Sequence, residues 1–147
     1  MKGDAIVIER HIAAAIDEVF RWWTEPERLR EWMSPVGIVE AEVDLRVGGN
    51  FRIVMRGDCM VIEHVGTYLD VRPPRRLEFT WISRYTEGKP TLVLVELEPD
   101  ADNGTLLRLT HRQLPDSAVE SHAGGWTAML DRLESSLPSS SKVARGR

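Results

Sequence analysis

Pro115-Asp-Ser-Ala-Val-Glu120-Ser-His122-Ala-Gly-Gly125-Trp126-Thr-Ala-Met129-Leu130-Asp-Arg-Leu133-Glu-Ser-Ser-Leu137-Pro138 carries one continuous helical period. His122, Trp126, Met129, Leu130, Leu133 and Leu137 recur at steps of three and four, which gives the helix a single apolar stripe. Ser117-Ala-Val-Glu120 has the spacing of a capping box and predicts the helix start, while Pro138 stops it. Gly124-Gly125 inside this helix costs about 1 kcal/mol per residue relative to Ala. Close backbone approach to a sheet, a kink that opens a cavity, or a helix start delayed past Gly125 would each account for that cost.

A helix with one stripe needs a surface to cover, and the preceding residues supply it. Val39, Ala41, Val43 and Leu45 alternate with Glu40, Glu42 and Asp44, and Gly48-Gly49 predicts a tight turn. Phe51, Ile53 and Met55 alternate with Arg52, Val54 and Arg56, which predicts a strand with one wet face. After a turn at Gly57-Asp58, residues 61–71 read as a strand of ambiguous parity, ended by Pro73-Pro74. Leu77, Phe79 and Trp81, then Val93, Val95 and Leu97, then Thr105, Leu107, Leu109 and His111 define three more strands. Residues 83–90 read as a loop. At the other end, Ile6, Ile8 and Ile12 mark a first strand, and Ile16, Val19, Phe20 and Trp23 fall at helical spacing. Thr24-Glu-Pro-Glu27 predicts a second short helix, with Thr24 as N-cap and Pro26 in the first turn, stopping before Ser34-Pro35.

The expected fold class is therefore α+β: a seven-stranded antiparallel sheet, joined by short connections, curved around a long C-terminal helix. A helix of about 20 residues is about 30 Å long and does not fill the concavity of such a sheet. The two short helices close one end, and a cavity is expected between the layers. One domain is expected over residues 1–137, with residues 138–147 a disordered tail that has nothing to bury.

Five stretches in register resemble a known family. They are Val19-Phe-Arg-Trp-Trp-Thr-Glu-Pro-Glu27 with Leu29, Trp32 and Pro35; Glu42 to Phe51; Gly66 to Trp81; Gly104 to His111; and Gly125 to Leu133. Together they resemble the activator-of-heat-shock-protein-90-ATPase homologue family of the START-like (SRPBCC) helix-grip superfamily, over about residues 6–137. The resemblance implies a cavity-bearing ligand-binding domain of the kind found in many bacterial members. It does not imply chaperone activation, because in the eukaryotic activator a separate N-terminal domain makes the main chaperone contact.

Composition narrows the function. Apolar residues make up 42% and charged residues 29%, which is enough for a packed core without a metal or disulfide staple. With 19 Lys plus Arg against 23 acids the net charge is −4, so nucleic acid is not an expected partner. No apolar run approaches a membrane span, and no export signal is visible at the N-terminus. Cys59 is the lone cysteine, so no internal disulfide is possible. A cytoplasmic protein is expected.

Trp32, Phe51, Met55, Phe79, Trp81, Trp126 and Met129 form an inward, polarisable set suited to the lining of a ligand cavity, or to plain core. His111 shares parity with Leu107 and Leu109, and His122 lies one turn before Trp126. Either histidine faces the cavity and binds a polar ligand atom, or His111 sits half exposed at a strand end and His122 in a frayed turn. Arg10 has inward parity, and the simpler expectation places it at the rim, where its strand ends, beside a local Glu. No spacing suggests a metal site, and no cofactor is expected. The main reading is a binding protein for a small apolar or aromatic molecule. One alternative is a cofactor-free cyclase, dehydratase or hydrolase using His111, His122 or Arg10. Another is a chaperone-linked protein-interaction module with a collapsed core and an exposed apolar patch.

Overall fold

Alternation of β-branched and aromatic residues with polar ones gives a pleated ribbon one face to bury. The computed structural model describes residues 5–34, 37–56 and 59–137. Seven stretches form strands in it: β1 (Ile6–Ile12), β2 (Ile38–Val43), β3 (Asn50–Arg56), β4 (Val61–Arg72), β5 (Arg76–Trp81), β6 (Thr91–Asp100) and β7 (Gly104–Arg112). Helices α1 (Ile16–Thr24) and α2 (Pro26–Trp32) separate β1 from β2, and α3 (Val119–Ser136) follows β7. The sheet is antiparallel throughout, in the order β1-β7-β6-β5-β4-β3-β2. It curves around α3, which is the expected α+β helix-grip architecture. Among the described residues no helix is long and apolar enough to cross a membrane.

The concave face is the one the alternation selects: Leu77, Phe79, Trp81, Val93, Val95, Leu97, Leu107, Leu109 and His111 are all buried. Trp126, Met129, Leu130 and Leu133 of α3 pack against them. Val19, Phe20 and Trp23 of α1 with Leu29 and Trp32 of α2 fill the other end of the same core. Each such side chain contributes about 1.5–3 kcal/mol by leaving water. Trp32 is fully buried, with its Nε1–H donated to the Trp22 carbonyl at 2.9 Å.

Several local expectations are corrected. Thr24 is the last residue of α1, where its hydroxyl donates to the Phe20 carbonyl, so it does not cap α2; Glu25 holds that position without a side-chain cap. The Ser117–Glu120 capping box does not form either. Residues Asp116–Ala118 make a 3₁₀ turn, and Ala118 precedes α3 with no side-chain cap. Leu45 is exposed beyond the end of β2, and Val54 is buried on the face expected to be wet. The loop at 83–90 contains a 3₁₀ turn, Arg84–Thr86, closed by a true capping box between Ser83 and Thr86. The turn at Gly57-Asp58, the stops at Pro35 and Pro138, and the tail 138–147 lie outside the described residues.

Candidate functional site

The first turns of α3 carry Ser121, Gly124 and Gly125, which have little or no side chain to fill space. A Cβ placed on Gly124 or Gly125 would meet nothing within 4 Å, so close approach to the sheet is not why glycine stands there. Nor does the helix start late, since it begins at Val119. Open space lies beside Gly125: it lines a cleft of about 310 Å³. The cleft is bounded by Met33 and Ser34, by Met55 and Arg56 of β3, by Ile62 and His64 of β4, and by Trp81 of β5. Tyr85 and, from α3, Ser121, His122, Gly125, Trp126, Ala128 and Met129 complete the lining. The volume falls at the small end of the range for small-molecule sites, and the lining is apolar with a few polar groups, as such sites are. Arg56 is the one charged residue among these lining groups.

The Trp81 and Trp126 rings lie 5.4 Å apart at 46°, and the His64 ring meets Trp81 at 4.8 Å, tilted by 38°. Trp126 is held from behind. Its Nε1–H donates to Nδ1 of the fully buried His111 at 2.9 Å, so Nδ1 carries the lone pair. Nε2 of His111 lies 2.8 Å from the Thr91 hydroxyl, whose own proton goes to the Trp81 carbonyl at 2.7 Å. Nε2 therefore bears the ring proton and donates it to Thr91. The resulting directed chain, Trp126 to His111 to Thr91 to Trp81, uses both ring nitrogens and fixes a neutral tautomer. Strand register makes it possible, because Thr91 pairs with Trp81 across β5–β6 while His111 pairs with Val93 across β6–β7. Burial, then the nearby His122, push His111 down to about 3. His111 thus acts as a strut for Trp126, with no ring nitrogen left to take a proton or a ligand.

His122 is half-buried and meets His111 edge-on at 5.3 Å. Its Nδ1 lies 2.9 Å from the Ala118 carbonyl, which can only accept, so Nδ1 carries the proton and Nε2 the lone pair. Burial lowers its pKa, against the opposing effect of that carbonyl. His64 is buried opposite Ile53. Burial pushes it down to about 4, although the carbonyls of Ile62 and Ile53 favour its charged form; Nδ1 itself has no hydrogen-bond partner of good geometry. Among the described residues no three His, Cys, Asp or Glu side chains are grouped to hold a metal ion.

Of the residues singled out by sequence, the structure brings Met55, Trp81, His122, Trp126 and Met129 together on the cleft. It places His111 directly behind Trp126, fully buried rather than half exposed. Phe51 and Phe79 lie deeper, around a void of about 10 Å³ shared with Trp23 and Tyr68, and Trp32 packs edge-on against Trp23. Arg10 does face inward on a strand that runs on to Ile12, and its partner is not a local Glu. Its guanidinium reaches α3, 2.7 Å from Glu134 and 2.9 Å from Asp131, and this pairing raises its pKa. Sequence reasoning missed His64, Met33, Ile62 and Tyr85. A signal for His64 was available: Glu63 and Thr67 fall on the wet face, which turns Ile62, His64, Gly66 and Tyr68 inward.

These features define a helix-grip domain with an open, aromatic-walled cleft between sheet and helix. The chain belongs to the Activator of Hsp90 ATPase homolog 1-like protein family, whose sequence model matches residues 13–137. No curated protein matches the chain. Among solved structures, CalU16 from Micromonospora echinospora is 31% identical, with 89% of this chain and 74% of that one covered and a TM-score of 0.71. An HSP90 activator from Plasmodium falciparum is 26% identical, covering 88% and 93%, with a TM-score of 0.74. A protein from Chromobacterium violaceum is similar in fold, at 24% identity, 91% and 97% coverage and a TM-score of 0.81.

Proposed function

We propose that the protein is a cytoplasmic binding protein for a small apolar or aromatic molecule held in the cleft between β3–β5 and α3. The observation that carries this reading is the convergence of Trp81, Trp126 and the methionines Met33, Met55 and Met129 on one open volume of about 310 Å³. Flat rings supply apolar area at low entropic cost, and thioethers adapt to a ligand's outline. An enzymatic reading draws less support, because His111 and Arg10 are committed to partners inside the fold.

The test is a nitrogen–proton NMR titration against a panel of fused-ring aromatics, lipids and polyketide-like compounds, with the five indole signals assigned by single Trp→Phe changes. Saturable shifts at Trp81 and Trp126, abolished by Gly125→Leu, are expected. Leu at that position fills open space without meeting another atom at Cβ. No saturable shift with any compound, in a folded protein, would overturn the reading.

A chaperone-linked reading rests on a separate observation, the likeness to an HSP90 activator. It predicts that the protein stimulates the ATPase of an Hsp90 from the same cell, and it is dropped if the rate is unchanged.

A further inference from the structure

The cleft's walls restrict its occupant beyond being apolar. An engineered apolar cavity of about 150 Å³ takes up one benzene, and this cleft, at about 310 Å³, has room for roughly twice that. Trp81 and Trp126, packed on each other with ring centroids 5.4 Å apart, form part of a wall that also includes the His64 ring. Aromatic groups are matched best by offset or edge-to-face partners at such spacings.

The polar part of the wall is more selective. His111 has spent both ring nitrogens on Trp126 and Thr91. His122 has spent one: Nδ1–H is tied to the Ala118 carbonyl, which leaves a lone pair on Nε2 with no protein donor among the described residues. That ring forms part of the cleft wall. A lone pair repels a carboxylate and has nothing to offer a carbonyl oxygen, but it accepts from a hydroxyl. The cation nearest at hand for an anion is Arg56, whose residue is exposed at the edge of the lining.

We propose, resting on the binding reading above, that the occupant is a two-ring aromatic bearing a hydroxyl, whose O–H donates to Nε2 of His122. The flat rings pack against the wall that Trp81 and Trp126 help to form, and the hydroxyl satisfies an acceptor that the fold leaves open on His122. Neutrality of the imidazole is consistent with this, since burial disfavours its protonated form.

The experiment is calorimetric titration of the whole chain with 2-naphthol, 2-methoxynaphthalene, naphthalene and 2-naphthoate. For the wild-type protein, 2-naphthol is expected to bind about tenfold more tightly than its methyl ether or naphthalene, equivalent to about 1.4 kcal/mol. The ether is the more apolar compound, so burial alone predicts the opposite order. In His122→Phe, which keeps a flat ring and removes the acceptor, the ratio of 2-naphthol to naphthalene affinity, both measured on that variant, is expected to fall below about twofold. Equal affinity for 2-naphthol and its ether in the wild-type protein overturns the proposal without touching the binding reading, and needs no variant to fold. Tightest binding by 2-naphthoate overturns it too, in favour of an anion site near Arg56. Failure of all four, naphthalene included, removes both the proposal and the binding reading for ligands of this class.

Discussion

Replacing His111 by Phe sets two contributions of opposite sign against each other. Above neutrality the change removes the acceptor of Trp126 Nε1–H, and Trp126 is only 1% exposed. An unpartnered buried donor costs about 1–3 kcal/mol, while Thr91 keeps its bond to the Trp81 carbonyl. The variant is therefore expected to be less stable than the wild type at pH 7.5 by that amount. In acid the sign changes. His111 titrates near 6.5 when unfolded and only at about 3 when folded, so the unfolded chain takes up a proton that the folded chain refuses. The stability owed to neutral His111 is complete above pH 6.5 and is withdrawn as pH falls from there toward 3. At pH 4.5, two units into that window at about 1.4 kcal/mol per unit, the wild type has lost about 2.7 kcal/mol that the variant never had. His64 and His122 titrate in both proteins and largely cancel in the difference, although His122 couples to His111. Urea unfolding followed by far-ultraviolet circular dichroism at pH 7.5 and 4.5 measures both gaps. The variant's deficit should shrink by about 2.7 kcal/mol, or reverse. A gap of the same size at both pH values would refute the account of His111 as a buried, neutral strut.

Thr91→Val, nearly the same shape, strips the acceptor from His111 Nε2–H and is expected to cost about 1–3 kcal/mol in the same urea assay at pH 7.5; a loss below about 0.3 kcal/mol would contradict the hydrogen-bonded chain. Gly124→Ala gains helix propensity where a Cβ meets nothing, so thermal unfolding should show stabilisation of up to about 1 kcal/mol. Gly66→Ala should fail to fold or lose more than about 3 kcal/mol, because a Cβ there would sit 1.9 Å from the Thr80 carbonyl oxygen and 2.5 Å from the Phe51 ring; near-wild-type stability would show that β4 can shift away from Phe51.

The architecture was legible in the strands whose polar and apolar residues alternate strictly, such as Leu77–Phe79–Trp81 and Leu107–Leu109–His111, because burial of one face demands that pattern. Strand 61–71 was not legible in the same way. Val61, Val65 and Leu69 are apolar on the face opposite Ile62, His64 and Tyr68, and a shift of register between Tyr68 and Asp70 turns Val71 back to the inner face beside Leu77, so hydrophobicity alone does not choose between faces. Parity also tells which side of the sheet a residue occupies and not its height along the strand. Phe51 and Phe79 thus lie under α1 and α2 in the packed end, while Met55 and Trp81 reach the open one. Both misread capping boxes have a common cause: Thr24 and Ser117 sit inside preceding helical turns, where the backbone geometry of an N-cap is not available. Arg10 was legible as inward by parity, but only tertiary packing brings Asp131 and Glu134 across to meet it.

Strand order also bears on how the chain comes together during synthesis. β1 pairs with β7 alone, Ile6 opposite His111 and Ile12 opposite Thr105, and it lies at one margin of the sheet. The ribosome delivers β1 first, and at about 5–20 residues per second its partner follows some 5–20 seconds later. Throughout that interval Ile6, Ile8 and Ile12 have no strand to join, and closing so long a loop is slow compared with pairing adjacent hairpins. The consecutive hairpins from β2 to β7 can assemble in the order they emerge, each beside the one before. The N-terminal strand is then the last to be placed in the sheet, although it is the first to be made.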